Sequence, residues 1–101
     1  MTALYTIIRR KNMVIKFFAF IRDYTGSKET NMSSCPTLRE LLYKLCSKYG
    51  KKFSEKLFTG ESLSEEIIIL VNGRHIEHLK GLDTSLSEND EISIFTKVAG
   101  G

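Results

Sequence analysis

The chemistry that this chain could perform is concentrated at its C-terminus. The last six residues, Thr96-Lys97-Val98-Ala99-Gly100-Gly101, end in two glycines and a free carboxylate. Glycine has no Cβ, so Gly100 and Gly101 can pass through a channel too narrow for other residues. Six extended residues span about 20 Å, which is enough to carry the carboxylate into a partner's active site. We therefore predict that Gly101 is the reactive residue and that Gly100, Ala99 and Val98 thread it into place.

The side chains elsewhere give weaker chemical signals. No Ser-His-Asp or Cys-His arrangement can be recognised, and neither the Walker pattern nor Gly-x-Gly-x-x-Gly occurs. His75 and His78 are predicted to lie on opposite faces of a short strand, which is a poor arrangement for binding one metal ion. Cys35 and Cys46 have no Cys-x-x-Cys spacing, so we interpret them as reduced, structural thiols. No metal site is predicted.

Length and composition limit the classes of function. The 101 residues carry a net charge of +3, and 42% of them are apolar, which is typical of one globular domain. No basic stripe with interleaved aromatic residues points to nucleic acid. No apolar run approaches the ~20 residues of a membrane span, and residues 1–12 do not have the order of a signal peptide, so we expect a cytoplasmic protein. We interpret residues 1–12 as an extension; a basic arm, or an extra strand or helix on the domain, are the alternatives.

The first strand, which would help to hold the tail, is predicted over Val14–Ile21. A period of two places four of its residues in the core: Ile15, Phe17, Ala19 and Ile21. The opposite face carries Phe18 and Phe20, and Phe95 of the last strand joins them. Either another layer such as the N-terminal extension covers these rings, or they form an exposed apolar patch, which usually marks a partner site. We predict partner binding by Phe18, Phe20, Phe95 and Lys97.

The strongest helix signal begins at Thr37. Its hydroxyl and the side chain of Glu40 have the spacing of a capping box. The residues that follow form one apolar stripe: Leu38, Leu41, Leu42, Leu45 and Tyr49. Gly50 is the predicted end of this helix. The next segment, 51–64, is mixed, and a short helical turn there is expected to cover the end of the sheet.

Further strands are predicted on both sides of the helix. The segment 28–32 reads as an edge strand that pairs back on the first strand. The segment 66–71 is apolar at almost every position, which favours a central strand buried on both faces. Asn72-Gly73 then predicts a type I′ hairpin turn. The segment 74–79 is the return strand, and 91–95 is the final strand.

This order of elements predicts an α+β domain, with one main helix across one face of a mixed sheet of four to five strands. The domain covers residues 13–95. It lies between the N-terminal extension, residues 1–12, and the reactive tail, residues 96–101.

Four segments carry a resemblance to a known family: VIKFFAFIRDYTG, TLRELLYKL, IIILVNGRHI, and LDTSLSENDEISIF followed by VAGG. From Met13 to Gly101 the chain resembles the MoaD/ThiS family of ubiquitin-like sulfur carriers, and within it the MoaD small subunits of molybdopterin synthase. ThiS carriers are usually shorter and lack the middle segment, here roughly 51–65. The resemblance implies a ubiquitin-like β-grasp fold.

The resemblance also implies a chemistry for the tail. A ubiquitin-activating-type enzyme such as MoeB would use ATP to adenylate the carboxylate of Gly101, which would then become a thiocarboxylate. The tail would insert into the large synthase subunit, MoaE, where its sulfur would be transferred to a pterin precursor to make molybdopterin. On this resemblance the chain is a sulfur-donor subunit that is not catalytic on its own. It binds no cofactor, leaves ATP to the activating partner, and needs neither nucleic acid nor a membrane.

One feature departs from the family. Many MoaD tails carry Pro-Pro where this chain has Thr96-Lys97. Proline would pre-set an extended path, whereas Thr-Lys is expected to be more flexible and adds a cation. Three alternatives therefore stay open: a carrier for another pathway such as thiamine synthesis or tRNA thiolation, a ubiquitin-like protein modifier attached to lysines, and an interaction module with an inert tail.

Overall fold

The computed structural model describes residues 12–97. The elements, in chain order, are β1 (Met13–Phe17), α1 (Ile21–Thr25), β2 (Glu29–Met32), α2 (Leu38–Tyr49), α3 (Lys51–Leu57), β3 (Phe58–Thr59), β4 (Ser62–Leu63), β5 (Ile67–Val71), β6 (Arg74–His75) and β7 (Glu91–Thr96). Two 3-10 turns, Ile76–His78 and Gly81–Asp83, follow β6. Within the described part of the chain, no helix is long and apolar enough to cross a membrane.

The main sheet has five strands in the order β2-β1-β7-β5-β6, and β3 and β4 form a separate hairpin. β1 and β7 are parallel, while the other neighbours are antiparallel. The predicted mixed sheet and its edge strand β2 are therefore confirmed. The prediction that 66–71 forms the central strand is wrong, because the last strand, β7, occupies the centre. β5 lies beside it and is fully buried on one face only, since Ile68 and Leu70 remain half-buried.

The core lies between the sheet and α2. This helix begins as predicted, with the Thr37 hydroxyl accepting a hydrogen bond from the Glu40 amide at 3.4 Å. It ends at Gly50, whose φ of +96° suits a residue without Cβ. Its buried residues meet those of the sheet: Leu38, Leu41, Leu42 and Leu45 from the helix, and Met13, Ile15, Phe17, Ile67, Ile69, Ile92 and Ile94 from the strands. Burying each such side chain contributes about 1.5–3 kcal/mol to folding.

The first strand is shorter than predicted. β1 ends at Phe17, and Ala19 adopts a left-handed conformation with φ +54°, which reverses the chain. Ile21 is buried as predicted, but it reaches the core from α1 and not from a strand. Ala19 was predicted to be a core residue, and it is exposed because it forms the turn.

In the turn, φ is +52° at Asn72 and +83° at Gly73, so the predicted type I′ hairpin is confirmed. The return strand contains only Arg74–His75, because the His75 ring nitrogen Nδ1 accepts a hydrogen bond from the Glu77 amide and begins a 3-10 turn. That turn brings the rings of His75 and His78 within 6.2 Å of each other, centroid to centroid. The prediction that the two histidines lie on opposite faces is therefore wrong.

Candidate functional site

The tail leaves the domain from the central strand of the sheet. β7 continues through Thr96, which pairs with Ile67. The Lys97 amide then donates a hydrogen bond to the Glu66 carbonyl at 2.7 Å. Thr96-Lys97 was expected to be more flexible than Pro-Pro, but strand pairing holds its backbone. Thr96 and Lys97 form the tail root, and the sheet fixes its backbone as far as the Lys97 amide.

The four residues predicted to present and carry the reactive group are Val98, Ala99, Gly100 and Gly101. They lie outside the described residues, so their roles stay predictions. The structure describes the strand and the residue, β7 and Lys97, that directly precede them.

Two of the predicted partner-binding phenylalanines meet beside this root. The rings of Phe18 and Phe95 are stacked, with centroids 4.5 Å apart and planes 8° from parallel. The contact forms because the Phe18 amide donates a hydrogen bond to the Ile94 carbonyl at 3.0 Å, which places the end of β1 next to Phe95. Ile68, the cross-strand partner of Phe95, is half-buried. We call Phe18, Phe20, Ile68 and Phe95 the docking surface.

Phe20 is exposed, as predicted, with 61% of its surface accessible. It does not lie on a strand, however. Phe20 is in the turn created by Ala19 and directly precedes α1. The docking surface therefore combines a sheet face with a turn at its end, a geometry that simple alternation along one strand could not predict.

Sequence reasoning missed Arg22, which lies against the docking surface. Its Nε donates a hydrogen bond to the Phe17 carbonyl at 2.8 Å, and its guanidinium carbon is 5.9 Å from the centroid of the Phe18 ring. Arg22 follows Phe18 by four residues, but it was predicted to lie in a turn after the first strand, and the chain reversal at Ala19 is what brings the two side chains together. Ile68 was also missed, although its position between the buried Ile67 and Ile69 placed it on the opposite face.

Lys97, the fourth predicted partner-binding residue, lines a groove of about 840 Å³ that also includes Ile67 and Ile69 of β5. Other charged residues along this groove are Arg39, Glu61, Glu65 and Glu77. Next to Lys97, the Thr96 side chain is buried, and its hydroxyl oxygen has no hydrogen-bond partner among the described residues. Lys97 is thus exposed along this groove, while Thr96 faces the protein interior, and partner binding by Lys97 stays a prediction.

The two thiols are not arranged as nucleophiles. Cys35 is buried, and its Sγ donates to the Ser33 carbonyl at 3.7 Å. Burial raises the pKa of the Cys46 thiol, although a hydrogen bond with Ser54 partly opposes this. A raised pKa keeps the thiol protonated at neutral pH and lowers its reactivity. Within residues 12–97, no three metal-ligating side chains cluster, and the paired histidines alone do not form such a group.

A partly exposed apolar surface beside the point where the chain end departs is the kind of feature that marks a partner site. An apolar surface adjoins the central strand, and that strand carries the chain into its last four residues.

Comparison with known proteins agrees with this geometry. A model of the ThiS family matches residues 15–101. Small archaeal modifier protein 3 of Haloferax volcanii is 32% identical over 89 residues, covering 86% of this chain and 96% of that protein. Sulfur carrier protein CysO of Mycobacterium tuberculosis is 28% identical over 93 residues, covering 89% of this chain and 99% of that protein.

The fold is shared with solved structures. A chain in the crystal structure of the Amycolatopsis orientalis BexX/CysO complex superposes with a TM-score of 0.77 at 23% identity, covering 88% of this chain and 99% of that chain. The predicted ubiquitin-like β-grasp fold is confirmed by such neighbours. The chain belongs to the ThiS family, the ubiquitin-like sulfur carriers of the MoaD/ThiS type.

Proposed function

We propose that this chain is the sulfur-donor small subunit of a molybdopterin synthase, with the carboxylate of Gly101 as its reactive group. The observation that carries the proposal is that β7 is the central strand and leads into the tail directly beside the Phe18–Phe95 stack. A partner that covers the docking surface would receive the tail in a fixed direction. Family membership supplies the chemistry that such a tail would undergo.

The first step is activation, because a carboxylate is a poor electrophile. An oxygen of the Gly101 carboxylate attacks the α-phosphate of ATP, pyrophosphate leaves, and an acyl-adenylate forms. ATP is bound by a MoeB-like activating partner, and this chain contributes only the carboxylate. Hydrosulfide then adds to the carbonyl carbon and AMP departs, which leaves a thiocarboxylate and releases a proton.

The second step is sulfur delivery to a MoaE-like large subunit. The tail enters the active site of that subunit, where the terminal sulfur displaces an oxygen leaving group from a carbon of a pterin precursor and forms an acyl thioester. Water then hydrolyses the thioester, which leaves the sulfur on the pterin and returns Gly101 to a carboxylate. The same docking surface would serve the activating enzyme and the large subunit in turn. Both partners must receive the same tail, and the tail leaves the domain at one place.

The test uses intact-mass spectrometry. The full chain is incubated with ATP, sulfide and the MoeB-type adenylating enzyme of its source organism, and one terminal oxygen should be replaced by sulfur. A chain that lacks Gly100 and Gly101 serves as the matched control and should stay unmodified. If the full chain forms neither adenylate nor thiocarboxylate, sulfur carriage is wrong.

A second candidate function is protein modification, favoured by the similarity to a small archaeal modifier protein and by the absence of Pro-Pro at Thr96-Lys97. Here a lysine amine attacks the activated Gly101 carbonyl and forms an isopeptide bond. The two functions are distinguished by what happens to the chain after it has become a thiocarboxylate. Addition of the large subunit and pterin precursor should remove its sulfur, whereas a modifier should appear attached through Gly101 to lysines of proteins from the source organism.

A further inference from the structure

The residue that gives the docking surface its charge is Arg22. One of its five N–H groups, that on Nε, donates to the Phe17 carbonyl at 2.8 Å. The guanidinium lies near the Phe18 ring, with 5.9 Å from its carbon to the ring centroid. These two contacts hold the head of a long, flexible side chain at the rim of the Phe18–Phe95 stack, although the residue itself is exposed.

Among the described residues, the charge of Arg22 has no carboxylate partner. In the range 12–97, no carboxylate lies within 4.0 Å of its guanidinium, although Arg39 pairs with Asp83 at 3.1 Å. Lys16, on the same strand as Phe17, is compensated by Glu91 at 3.3 Å. Within the part of the chain that the structure describes, Arg22 therefore carries a fixed positive charge without an ion-pair partner beside an apolar surface.

We infer that Arg22 is the anion-recognition element of the docking surface and selects partners that place a carboxylate next to the apolar group contacting Phe18 and Phe95. This inference rests on the proposed function, since it concerns the partners that receive the tail. Guanidinium groups bind carboxylates in a bidentate, planar geometry, and the backbone contact of Nε leaves the terminal N–H groups available for that purpose.

The occupant is thus an Asp or Glu side chain of the partner enzyme, not a phosphate or a membrane surface. The Phe18 and Phe95 rings require an apolar group at the centre of the contact, and Arg22 requires an anion at its edge. A protein surface offers both within the span of neighbouring side chains. Because Arg22 lies in the first turn of α1, two residues after Phe20, a partner that contacts Phe20 would also reach this cation.

The experiment measures ATP–pyrophosphate exchange by the MoeB-type adenylating enzyme of the source organism, with this chain as the varied substrate. Arg22→Gln should raise KM about ten- to hundredfold, the loss expected for one hydrogen-bonded charge pair, with kcat within about twofold. The wild-type KM should rise with added salt, and this salt dependence should weaken in Arg22→Gln. Arg22→Lys should fall between the two, because it keeps the charge but loses the planar fork.

Arg74→Gln is the matched control, since Arg74 is an exposed arginine on the edge strand β6, where it pairs with Val71 at the end of the sheet opposite the tail. Its KM should stay at the wild-type value. An unchanged KM in Arg22→Gln would overturn the inference while leaving sulfur carriage intact. A raised KM with wild-type salt dependence would also overturn it, because Arg22 would then act only by bracing the turn. Absence of exchange with the wild-type chain would instead remove the proposed function and this inference together.

Discussion

Phe18 and Phe95 lie face to face, with their ring centroids 4.5 Å apart, and connect the ends of two parallel strands. Phe18 follows β1, and Phe95 belongs to β7, from which the tail departs. A stacked aromatic pair contributes about 0.5–1.5 kcal/mol beyond the burial of its area. The contact therefore fixes the docking surface relative to the strand that aims the tail.

Replacing Phe95 by alanine should impair partner binding more than folding. The ring is half-buried, so we expect a loss of about 1–2 kcal/mol in the free energy of unfolding. Because the variant also removes the centre of the docking surface, KM for the activating enzyme should rise at least tenfold. Chemical denaturation and ATP–pyrophosphate exchange measure the two effects separately.

Tyr43→Ala is the control for Phe95→Ala. Tyr43 is also aromatic and is 47% exposed, but it lies on α2 and packs against Phe58. It should alter KM by less than about twofold, an effect within the range of neutral surface changes. Equal rises in KM for both variants would contradict a docking role for the sheet face.

Substitutions of Thr96 test whether its buried hydroxyl lowers the stability of the domain. Its buried hydroxyl has no partner among the described residues, and burying an unpaired polar group costs about 1–3 kcal/mol. Thr96→Val keeps the shape and removes that group, so it should raise the free energy of unfolding by about 1 kcal/mol. Thr96→Ser keeps the hydroxyl, loses the methyl group and should destabilise. A destabilised Thr96→Val chain would mean that the hydroxyl does have a partner.

The sequence predicted those elements whose signals are local. The Thr37 hydroxyl cap on the Glu40 amide, the leucine stripe that follows, and the type I′ turn at Asn72-Gly73 all depend on residues that are close together in the sequence. The extent of β1 could not be predicted in this way. Its apolar alternation continues past Phe17, and nothing in that pattern indicates that Ala19 takes a positive φ.

The candidate site was predictable only in part, for the same physical reason. Alternation along two separate strands placed Phe18 and Phe95 on one face, and the structure brings them into contact. Arg22 joins them through the chain reversal at Ala19, which the apolar alternation of 14–21 does not indicate. The central position of β7 likewise depends on its pairing with both β1 and β5, which are long-range contacts that composition and periodicity do not specify.

Lys97 allows the departure from Pro-Pro to be tested directly. Its amide donates a 2.7 Å hydrogen bond to the Glu66 carbonyl, and proline has no amide hydrogen. Lys97→Pro should therefore lower the free energy of unfolding by about 0.5–1.5 kcal/mol. Lys97→Ala keeps the amide and should leave stability nearly unchanged. Thermal unfolding of the two variants compares them, and equal stability would show that this hydrogen bond does not anchor the tail root.

Ala19 stores strain in the turn that creates the docking surface. Its φ of +54° is a left-handed conformation that costs an L-residue about 1–2 kcal/mol. Ala19→Gly removes that cost but adds about 0.5–1 kcal/mol of chain entropy in the unfolded state. The net effect should be a stabilisation on the order of 0.5–1 kcal/mol, measured by chemical denaturation.

Gly26→Ala is the reciprocal control for Ala19→Gly. Gly26 ends α1 with φ +73°, and a Cβ there would meet no atom within 4 Å, so any loss reflects the backbone conformation alone. This variant should destabilise the domain by about 1 kcal/mol. If Ala19→Gly also destabilises the domain, the turn is not strained in solution. A stabilised Ala19→Gly chain with unchanged KM would instead show that the turn can place Arg22 over Phe18 without the strain.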